Sequence, residues 1–305
     1  MAKILITESV HPIGPELLTA AGHTVVYADR DMDVIRREIV DADAVLVRII
    51  ELPGSLLATA KNLKIVSKHG VGYDNIDLDY CKSHGVAVTI TPNANSLSVA
   101  EHAFTLMLTL AKNIIPVSNE YRTVGFAAKN HAPGIEMTGK TLGLIGMGRI
   151  GKHVLHMCKD GLDMHVIVYD PYISEVPEGV EKVDDLSELL CRADVVTLHC
   201  LLTDETRKLI DRERLALMKP TALLINCARG PIVDEAALIE ALENGRLAGA
   251  GLDVTDPEPV APDSPLFKLP NVIVTPHYAP TTVESATRVS KIAAENINAV
   301  LAGQE

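Results

Sequence analysis

Short apolar runs alternate with helical stretches along all 305 residues, and the alternation occurs in two separate series. This pattern is typical of parallel strands joined by crossover helices. The length is sufficient for two domains that each bury a core. The first series contains five runs: Lys3–Ile6, Thr24–Tyr27, Ala44–Val47, Lys64–Ser67 and Ala87–Thr89. The second contains six: Thr141–Ile145, His165–Tyr169, Val195–Leu198, Ala222–Asn226, Gly249–Leu252 and Val272–Thr275.

The helical stretches set the expected domain limits. A long apolar helix is predicted from about Leu97 to about Asn113, with Ser96 as its N-cap and Pro116 interrupting or ending it. The last helix, about Val283–Leu301, is assigned to the first domain, which is short of a covering helix. We therefore predict an α/β chain of two Rossmann-like domains. Residues 1–96 and 283–305 are expected to form a smaller, flavodoxin-like substrate domain. Residues 97–282 are expected to form a doubly wound parallel sheet that binds a dinucleotide.

A glycine motif, GMGRIG, links the first strand of the second series to a helix. Its glycines permit a tight turn, close approach of a pyrophosphate and close packing of helix on sheet. Asp170 follows the next strand, 19 residues after Gly151, where an acidic side chain would bind ribose hydroxyls and repel a 2′-phosphate. The spacing therefore predicts NAD rather than NADP. The predicted cofactor-binding residues of this segment are Gly146, Gly148, Arg149, Ile150, Gly151 and Asp170.

Three ionisable side chains follow apolar runs of the second series: Arg229, Glu258 and His277. Parallel strands gather their carboxyl ends at one edge of a sheet, so we expect these side chains at one crevice. A guanidinium can bind a carboxylate through two hydrogen bonds. An imidazole beside a carboxylate favours its protonated form and can donate to a keto oxygen. Together they predict hydride transfer on a 2-hydroxy or 2-keto acid.

Two features of the first series are candidates for substrate binding. The segment His69-Gly70-Val71-Gly72 follows a strand, and its amides could bind a substrate carboxylate, although a plain strand-to-helix turn explains it equally well. Arg48 ends the strand Ala44–Val47 and is a weaker candidate.

Composition excludes several other classes of protein. A net charge of −12 argues against a nucleic-acid partner but not against a small anionic substrate. Five cysteines without paired spacing predict reduced thiols and neither disulfides nor a zinc site, so no metal is expected. With no signal peptide recognised and no apolar stretch of membrane-spanning length, the expected location is cytoplasmic.

In its ordered set of motifs, the chain resembles the D-isomer-specific 2-hydroxyacid dehydrogenases, and within them the phosphoglycerate dehydrogenase branch. The motifs are His69 to Asp77, Asn95-Ser96 with Ala100-Glu101, the glycine motif, Asn226 to Gly230, Gly251 to Val254 with Glu258-Pro259, and Pro276-His277. The resemblance implies that Arg229 binds substrate and that Glu258 and His277 form the acid/base pair.

The same resemblance implies roles for further residues. Asp253 would contact the nicotinamide amide, Cys227 and Ala228 would line the nicotinamide site, and the amides of Val71 and Gly72 would bind the carboxylate. His199 and Cys200 are assigned to cofactor binding as well, and Arg48, His69 and Asn95 to substrate binding. The sequence given ends at Glu305, and we therefore expect no feedback by serine through a C-terminal regulatory domain.

The sequence leaves the substrate open. Tyr278-Ala279-Pro280-Thr281 replaces the small or glycine-rich run usual in the family and could narrow the cleft. Substrates compatible with the motifs are 3-phosphoglycerate, hydroxypyruvate or glyoxylate, a sulfolactate-type acid and lactate-like acids. Formate dehydrogenases share the scaffold but pair the histidine with glutamine, so Glu258 disfavours them. An NAD-sensing corepressor-like protein is the alternative of another class.

Assembly is predicted from the apolar helix that begins at Leu97. Apolar residues cover most of its circumference, so we expect it to be buried on all sides. The segment 114–134 has few structural signals and is interpreted as an arm. Together with the family's dimerisation around this region, these features predict a homodimer.

Overall fold

The computed structural model describes residues 1–130 and 133–303, which form two compact units. One unit is Met1–Asn95 with Pro280–Glu305, and the other is Ser96–Ala279. The second boundary lies after Ala279 rather than after Thr282. The backbone amides of Tyr278 and Ala279 donate to the carboxylate of Asp253, so this turn belongs to the second unit.

The strands in chain order are β1 (Lys3–Ile6), β2 (Thr24–Tyr27), β3 (Ala44–Val47), β4 (Ile65–Lys68), β5 (Ala87–Thr89), β6 (Thr141–Ile145), β7 (His165–Tyr169), β8 (Val180–Lys182), β9 (Val195–Leu198), β10 (Leu223–Asn226), β11 (Gly249–Leu252) and β12 (Val272–Val274). The α-helices are α1 (Ile13–Ala20), α2 (Met32–Glu38), α3 (Gly54–Leu57), α4 (Leu78–Ser83), α5 (Ser96–Ala111), α6 (Ile114–Val124), α7 (Arg149–Leu162), α8 (Leu186–Arg192), α9 (Arg212–Leu217), α10 (Glu235–Glu243) and α11 (Val283–Leu301).

The first unit is a five-stranded parallel sheet in the order β2-β1-β3-β4-β5. This order is that of flavodoxin-like folds and confirms the predicted class. The C-terminal helix α11 packs on this sheet, as expected. The Ser67 hydroxyl donates to the carbonyl of Ala293 at 3.0 Å, and the Ser290 hydroxyl to that of His11 at 2.6 Å.

The second unit is a seven-stranded parallel sheet in the order β12-β11-β10-β9-β6-β7-β8. From β8 to β11, six of these strands follow the order of a doubly wound dinucleotide-binding sheet. The seventh strand, β12, lies at the edge beside β11. The prediction of six strands was wrong by one, because β8 was missed. Glu181 and Lys182 make up most of this short edge strand, which therefore lacks an apolar run.

The region after α5 differs from its prediction. The helix ends at Ala111 rather than near Asn113, and the segment interpreted as an arm contains α6 followed by a 3-10 turn at Gly125–Asn130. Pro116 does not end a helix but lies in the first turn of α6, where its missing amide hydrogen costs nothing. Residues 131 and 132 of the predicted arm lie outside the described residues. Within the single chain, Leu97 of α5 is 43% exposed, so the burial of this helix on all sides, which requires a second surface, stays a prediction.

No helix within residues 1–130 and 133–303 combines the length and the apolar character needed to cross a membrane.

Candidate active site

The glycine motif forms a turn between β6 and α7 in which two positions admit no side chain. Gly146 has a φ of +90°, and a Cβ there would lie 2.8 Å from the backbone nitrogen of Cys200. A Cβ on Gly151 would lie 2.3 Å from the carbonyl oxygen of Gly146. At Gly148, by contrast, a Cβ would meet nothing within 4 Å, so the turn is open on that side. The glycine turn therefore presents an open backbone surface that a phosphate can approach closely, as its sequence predicts.

The amino terminus of α7 lacks the side-chain cap that several other helices have. Asp31, Asp185 and Asp234 each accept a backbone amide at the start of their helices, whereas the N-cap of α7 is Gly148 and provides no oxygen. Amides in the first turn of this 14-residue helix are therefore available to an anion, which the helix dipole also favours.

Asp170 lies against the same turn. Its Oδ2 accepts the amide of Met147 at 2.9 Å, and its Oδ1 accepts the amide of Tyr172 at 3.0 Å. These bonds fix the carboxylate at the end of β7, directly beside the glycine turn of β6. Each oxygen retains a lone pair, because a carboxylate offers about four acceptor positions. The arrangement can accept the ribose hydroxyls of a dinucleotide, so these residues fit NAD.

His199 and two cysteines follow the neighbouring strands β9 and β10. Burial lowers the pKa of His199 to about 3, and its Nε2 lies 2.8 Å from the Thr197 hydroxyl. Burial raises the pKa of Cys200 to about 11 and that of Cys227 well above its ordinary value. At neutral pH the imidazole and both thiols are therefore uncharged, and the thiols are poor nucleophiles. Such neutral groups are suited to lining a cofactor site rather than to covalent chemistry.

Arg229 follows β10 on a turn that Asn226 holds. The side chain of Asn226 donates to the Arg229 carbonyl at 2.9 Å and accepts the Ala228 amide at 3.0 Å. Gly230 packs closely against the loop that follows β11, where a Cβ on Gly230 would lie 1.9 Å from the Thr255 carbonyl oxygen. The half-buried Arg229 guanidinium donates from Nη1 to the Ala228 carbonyl at 2.7 Å. The backbone around Arg229 is thus fixed from both sides.

Glu258 and His277 form a hydrogen-bonded pair. Nδ1 of His277 lies 2.7 Å from Oε1 of Glu258, and their side chains are 32% and 39% exposed. Arg229 and His277 follow β10 and β12, which flank β11 in one sheet, with Asn226 in register with Leu252 and Leu252 with Val274. Adjacent strands are about 4.8 Å apart, so the three strand ends share one short edge.

The turn that carries His277 is held by Asp253, which follows β11. The Asp253 carboxylate is 1% exposed and accepts the Thr275 hydroxyl at 2.5 Å and the amides of Tyr278 and Ala279 at 2.7 and 2.9 Å. His102 of α5 contacts the same group, with its Nε2 3.0 Å from the Thr275 hydroxyl. Sequence reasoning missed His102 and Thr275. The position of Thr275, directly after an apolar strand, was the available signal.

In the first unit, the predicted substrate-binding residues occupy consecutive strand ends. Arg48 follows β3 and donates from Nη1 to the Ser9 carbonyl at 3.0 Å. His69 follows β4, and its pKa is lowered to about 3 by burial and by the charges of Arg48 and Lys68, so its ring is neutral. Its Nε2 has no hydrogen-bond partner among the described residues, and neither has the buried Oδ1 of Asn95.

The amides of Val71 and Gly72 are used by no hydrogen bond within the described part of the chain. They are half-buried, so they remain available to an anionic group.

No group of three or more potential metal-ligating side chains occurs in the parts of the chain that the structure describes. The site's chemistry is that of a guanidinium, an imidazole–carboxylate pair and a phosphate-binding turn.

Comparison with known proteins places the chain in a family. The model of the D-isomer specific 2-hydroxyacid dehydrogenase NAD binding domain matches residues 104–279. D-3-phosphoglycerate dehydrogenase of Methanocaldococcus jannaschii is 43% identical over 100% of this chain and 58% of its own length. Glyoxylate reductase of Thermofilum pendens is 38% identical over 99% of this chain and 92% of its own length.

A solved structure agrees with the sequence matches. D-lactate dehydrogenase from Aquifex aeolicus, complexed with NAD and lactic acid, has a TM-score of 0.88 and 33% identity, over 98% of this chain and 96% of that one. The chain spans about half the length of the curated phosphoglycerate dehydrogenases that it matches, from 50% to 58%. These similarities confirm the predicted family and its phosphoglycerate dehydrogenase-like branch. The chain belongs to the D-isomer-specific 2-hydroxyacid dehydrogenases.

Proposed function

We propose that the chain is an NAD-dependent oxidoreductase that interconverts a D-2-hydroxy acid and its 2-keto acid. The observation that carries the proposal is the 2.7 Å contact of His277 Nδ1 with Glu258 Oε1, at the sheet edge where Arg229 also follows a strand. The contact uses one ring nitrogen and leaves Nε2 to exchange a proton with the substrate oxygen. Family membership supports the same chemistry.

In the proposed reduction, His277 donates a proton from Nε2 to the keto oxygen, and Glu258 stabilises the positive charge of the ring and fixes its orientation. Arg229 binds the substrate carboxylate through its two-pronged guanidinium. When bound, NADH supplies the hydride that reduces the carbonyl carbon. In the oxidation, His277 accepts the hydroxyl proton at the same nitrogen. The roles of Arg229, Glu258 and His277 thus account for the charge that develops on the substrate oxygen and for the orientation of the acid.

We assign the glycine turn and Asp170 to NAD. Supporting residues are Arg149 and Ile150 in the first turn of α7, and the cofactor-lining residues His199, Cys200, Cys227, Ala228 and Asp253. In the first unit, we propose that the Val71 and Gly72 amides bind the substrate carboxylate, with Arg48, His69 and Asn95 as further substrate-binding candidates. The unused amides of Val71 and Gly72 support this assignment.

For the substrate, we propose 3-phosphoglycerate and its keto form, on the strength of the 43% identity to a phosphoglycerate dehydrogenase. The test is an NADH-oxidation screen over 2-keto acids, including phosphohydroxypyruvate, hydroxypyruvate, glyoxylate, sulfopyruvate and pyruvate. If another acid of the screen is reduced fastest, the proposed substrate is wrong but the proposed reaction stands. NADH binding without turnover of any acid would contradict the enzyme and favour an NAD-sensing binding protein.

We propose a cytoplasmic location, supported by the five cysteines, all of which are unpaired. The acidic net charge supports a small-molecule substrate rather than a nucleic acid.

Replacing Asp170 with alanine should weaken NADH binding by about 10- to 100-fold, which corresponds to the loss of one charge-assisted hydrogen bond. The same change should improve use of NADPH, because repulsion of the 2′-phosphate disappears. Asp170→Asn is the matched control. It removes the charge and keeps one side-chain oxygen, which can accept the amide of Met147 or that of Tyr172 but not both, because the asparagine NH2 group only donates. Binding constants measured by NADH and NADPH fluorescence decide, and equal use of both cofactors by the wild type would contradict the assignment.

We also propose that the chain is a homodimer through α6 and the turn that follows it. Ile114, Tyr121 and Phe126 are 54%, 60% and 72% exposed and lie within 13 residues of one another. A specific dimer buries about 1,200 Å² or more, and an apolar surface of this kind would supply the centre of such an interface.

Light scattering at micromolar concentration should give twice the chain mass of 32.8 kDa. The double change Tyr121→Glu and Phe126→Glu should yield the single-chain mass, because it places charge in the apolar contact. Phe267→Glu, at a 55% exposed phenylalanine elsewhere in the same unit, is the control and should remain dimeric. A wild-type mass near 32.8 kDa would contradict the proposed homodimer.

A further inference from the structure

We infer that His102 is a positioning residue for the proposed reaction and acts on His277 through Thr275 and Asp253. The inference rests on the proposed role of His277 as the proton donor. His102 lies on α5, far in sequence from Asp253, Thr275 and His277. Its side chain is 17% exposed.

His277 occupies a backbone conformation that needs support. Its φ is +52°, in the left-handed region that few residues other than glycine adopt. Such a conformation persists only where its surroundings hold it. Here the His277 amide donates to the Asp253 carbonyl at 2.8 Å, and the next two amides donate to the Asp253 carboxylate. The turn therefore wraps around Asp253, much as successive amides surround a bound anion.

The hydroxyl of Thr275 connects Asp253 to His102. A buried carboxylate that receives two amides acts as an acceptor, so the single hydroxyl proton of Thr275 points to Asp253 at 2.5 Å. The Thr275 oxygen then accepts from His102 Nε2, 3.0 Å away, which assigns a hydrogen to that nitrogen. The same nitrogen lies 3.4 Å from Asp253 Oδ1. His102 thus donates toward both groups that anchor the turn.

A second contact of His102 lies on the other side of His277. The ring of Tyr278 packs edge-on against the His102 ring, with centroids 6.3 Å apart and an interplanar angle of 61°. His102 therefore contacts the turn before His277, at Thr275, and after it, at Tyr278. Loss of the imidazole would remove both contacts and leave the turn held by its bonds to Asp253 alone, so we expect His277 to be less firmly positioned against Glu258.

The first test compares His102→Leu with His102→Gln. Leucine removes the donor but keeps apolar volume, whereas the glutamine amide can donate from a similar distance. We expect His102→Leu to lower kcat for 2-keto acid reduction by about tenfold or more, since small displacements of a catalytic group are costly. NADH affinity should stay within about twofold, and His102→Gln should recover most of kcat. His165→Leu, at an exposed histidine that begins β7, is the control and should behave as the wild type.

The second test is a double-mutant cycle with Thr275→Val, which replaces the hydroxyl with a methyl group of similar size. Because His102 is proposed to act partly through Thr275, the loss in the double variant should be clearly smaller than the product of the two single losses. If His102→Leu fails to fold, the kcat of Thr275→Val alone tests whether the hydrogen bonds of the Thr275 hydroxyl position His277.

A readout independent of turnover is the ring NMR signal of His277 in protein labelled on histidine, assigned with His277→Ala. We expect one sharp set of signals in the wild type and in His102→Gln, and doubled or broadened signals in His102→Leu. Unchanged His277 signals together with wild-type kcat in His102→Leu would overturn the inference, as would losses that multiply in the cycle. Absence of turnover in the wild type itself would overturn the proposed function instead, and the NMR comparison would still test His102.

Discussion

Replacing His277 with alanine is expected to lower kcat for reduction of the preferred 2-keto acid by about 10²–10⁴-fold, the usual contribution of a general acid. The proton transfer occurs only as charge develops on the substrate oxygen, so NADH binding should change by less than about twofold. Steady-state kinetics and fluorescence titration with NADH provide the two measurements.

Glu258→Gln is the companion variant for this result. Its amide oxygen can still accept from His277 Nδ1, but the negative charge is gone, so we expect a smaller fall in kcat. Because Glu258 is proposed to act through His277, the double variant should be no slower than His277→Ala alone. A His277→Ala enzyme within twofold of the wild type would remove His277 from the mechanism.

Replacing Arg229 with lysine should lower kcat/KM for the keto acid by about 10- to 100-fold, although the charge is unchanged. Lysine is a point donor and cannot make the two parallel hydrogen bonds of a guanidinium to a carboxylate. Loss of one charge-assisted bond, about 1.5–3 kcal/mol, gives this range. Affinity for NADH should be nearly unaffected.

The control is Arg212→Lys, at an exposed arginine that pairs with Glu240 on the surface of the second unit. This exchange keeps the charge in the same way but is expected to leave kcat/KM unchanged. Wild-type kinetics for Arg229→Lys would show that the substrate carboxylate is bound elsewhere.

Features that depend on local sequence were predicted well. The strand runs and the glycine turn follow from apolar periodicity and from the steric needs of Gly146 and Gly151. Two of the local errors have clear local causes. The edge strand β8 is largely charged, and Pro116 was taken as a helix breaker although the first turn of a helix tolerates proline.

The support of His277 could not be predicted in the same way. His102 and Thr275 are 173 residues apart in the sequence, and neither belongs to a motif that suggests the other. The left-handed conformation of His277 depends on hydrogen bonds to Asp253, which only the folded sheet brings into place. Strand ends predict which residues share an edge, but not which side chains hold a turn in position.

The packing of α11 in the first unit also has a consequence for the order in which the protein folds on the ribosome. Ile4, Leu46 and Ile65 of that sheet share a core with Ala293 and Ile297 of α11. Translation proceeds from the amino terminus, so this apolar face is made early but its covering helix emerges only after residues 96–279. The second unit, whose chain is continuous, can complete its fold first. The nascent first unit must therefore keep an uncovered apolar face from aggregating for the time that nearly two hundred further residues take to be synthesised.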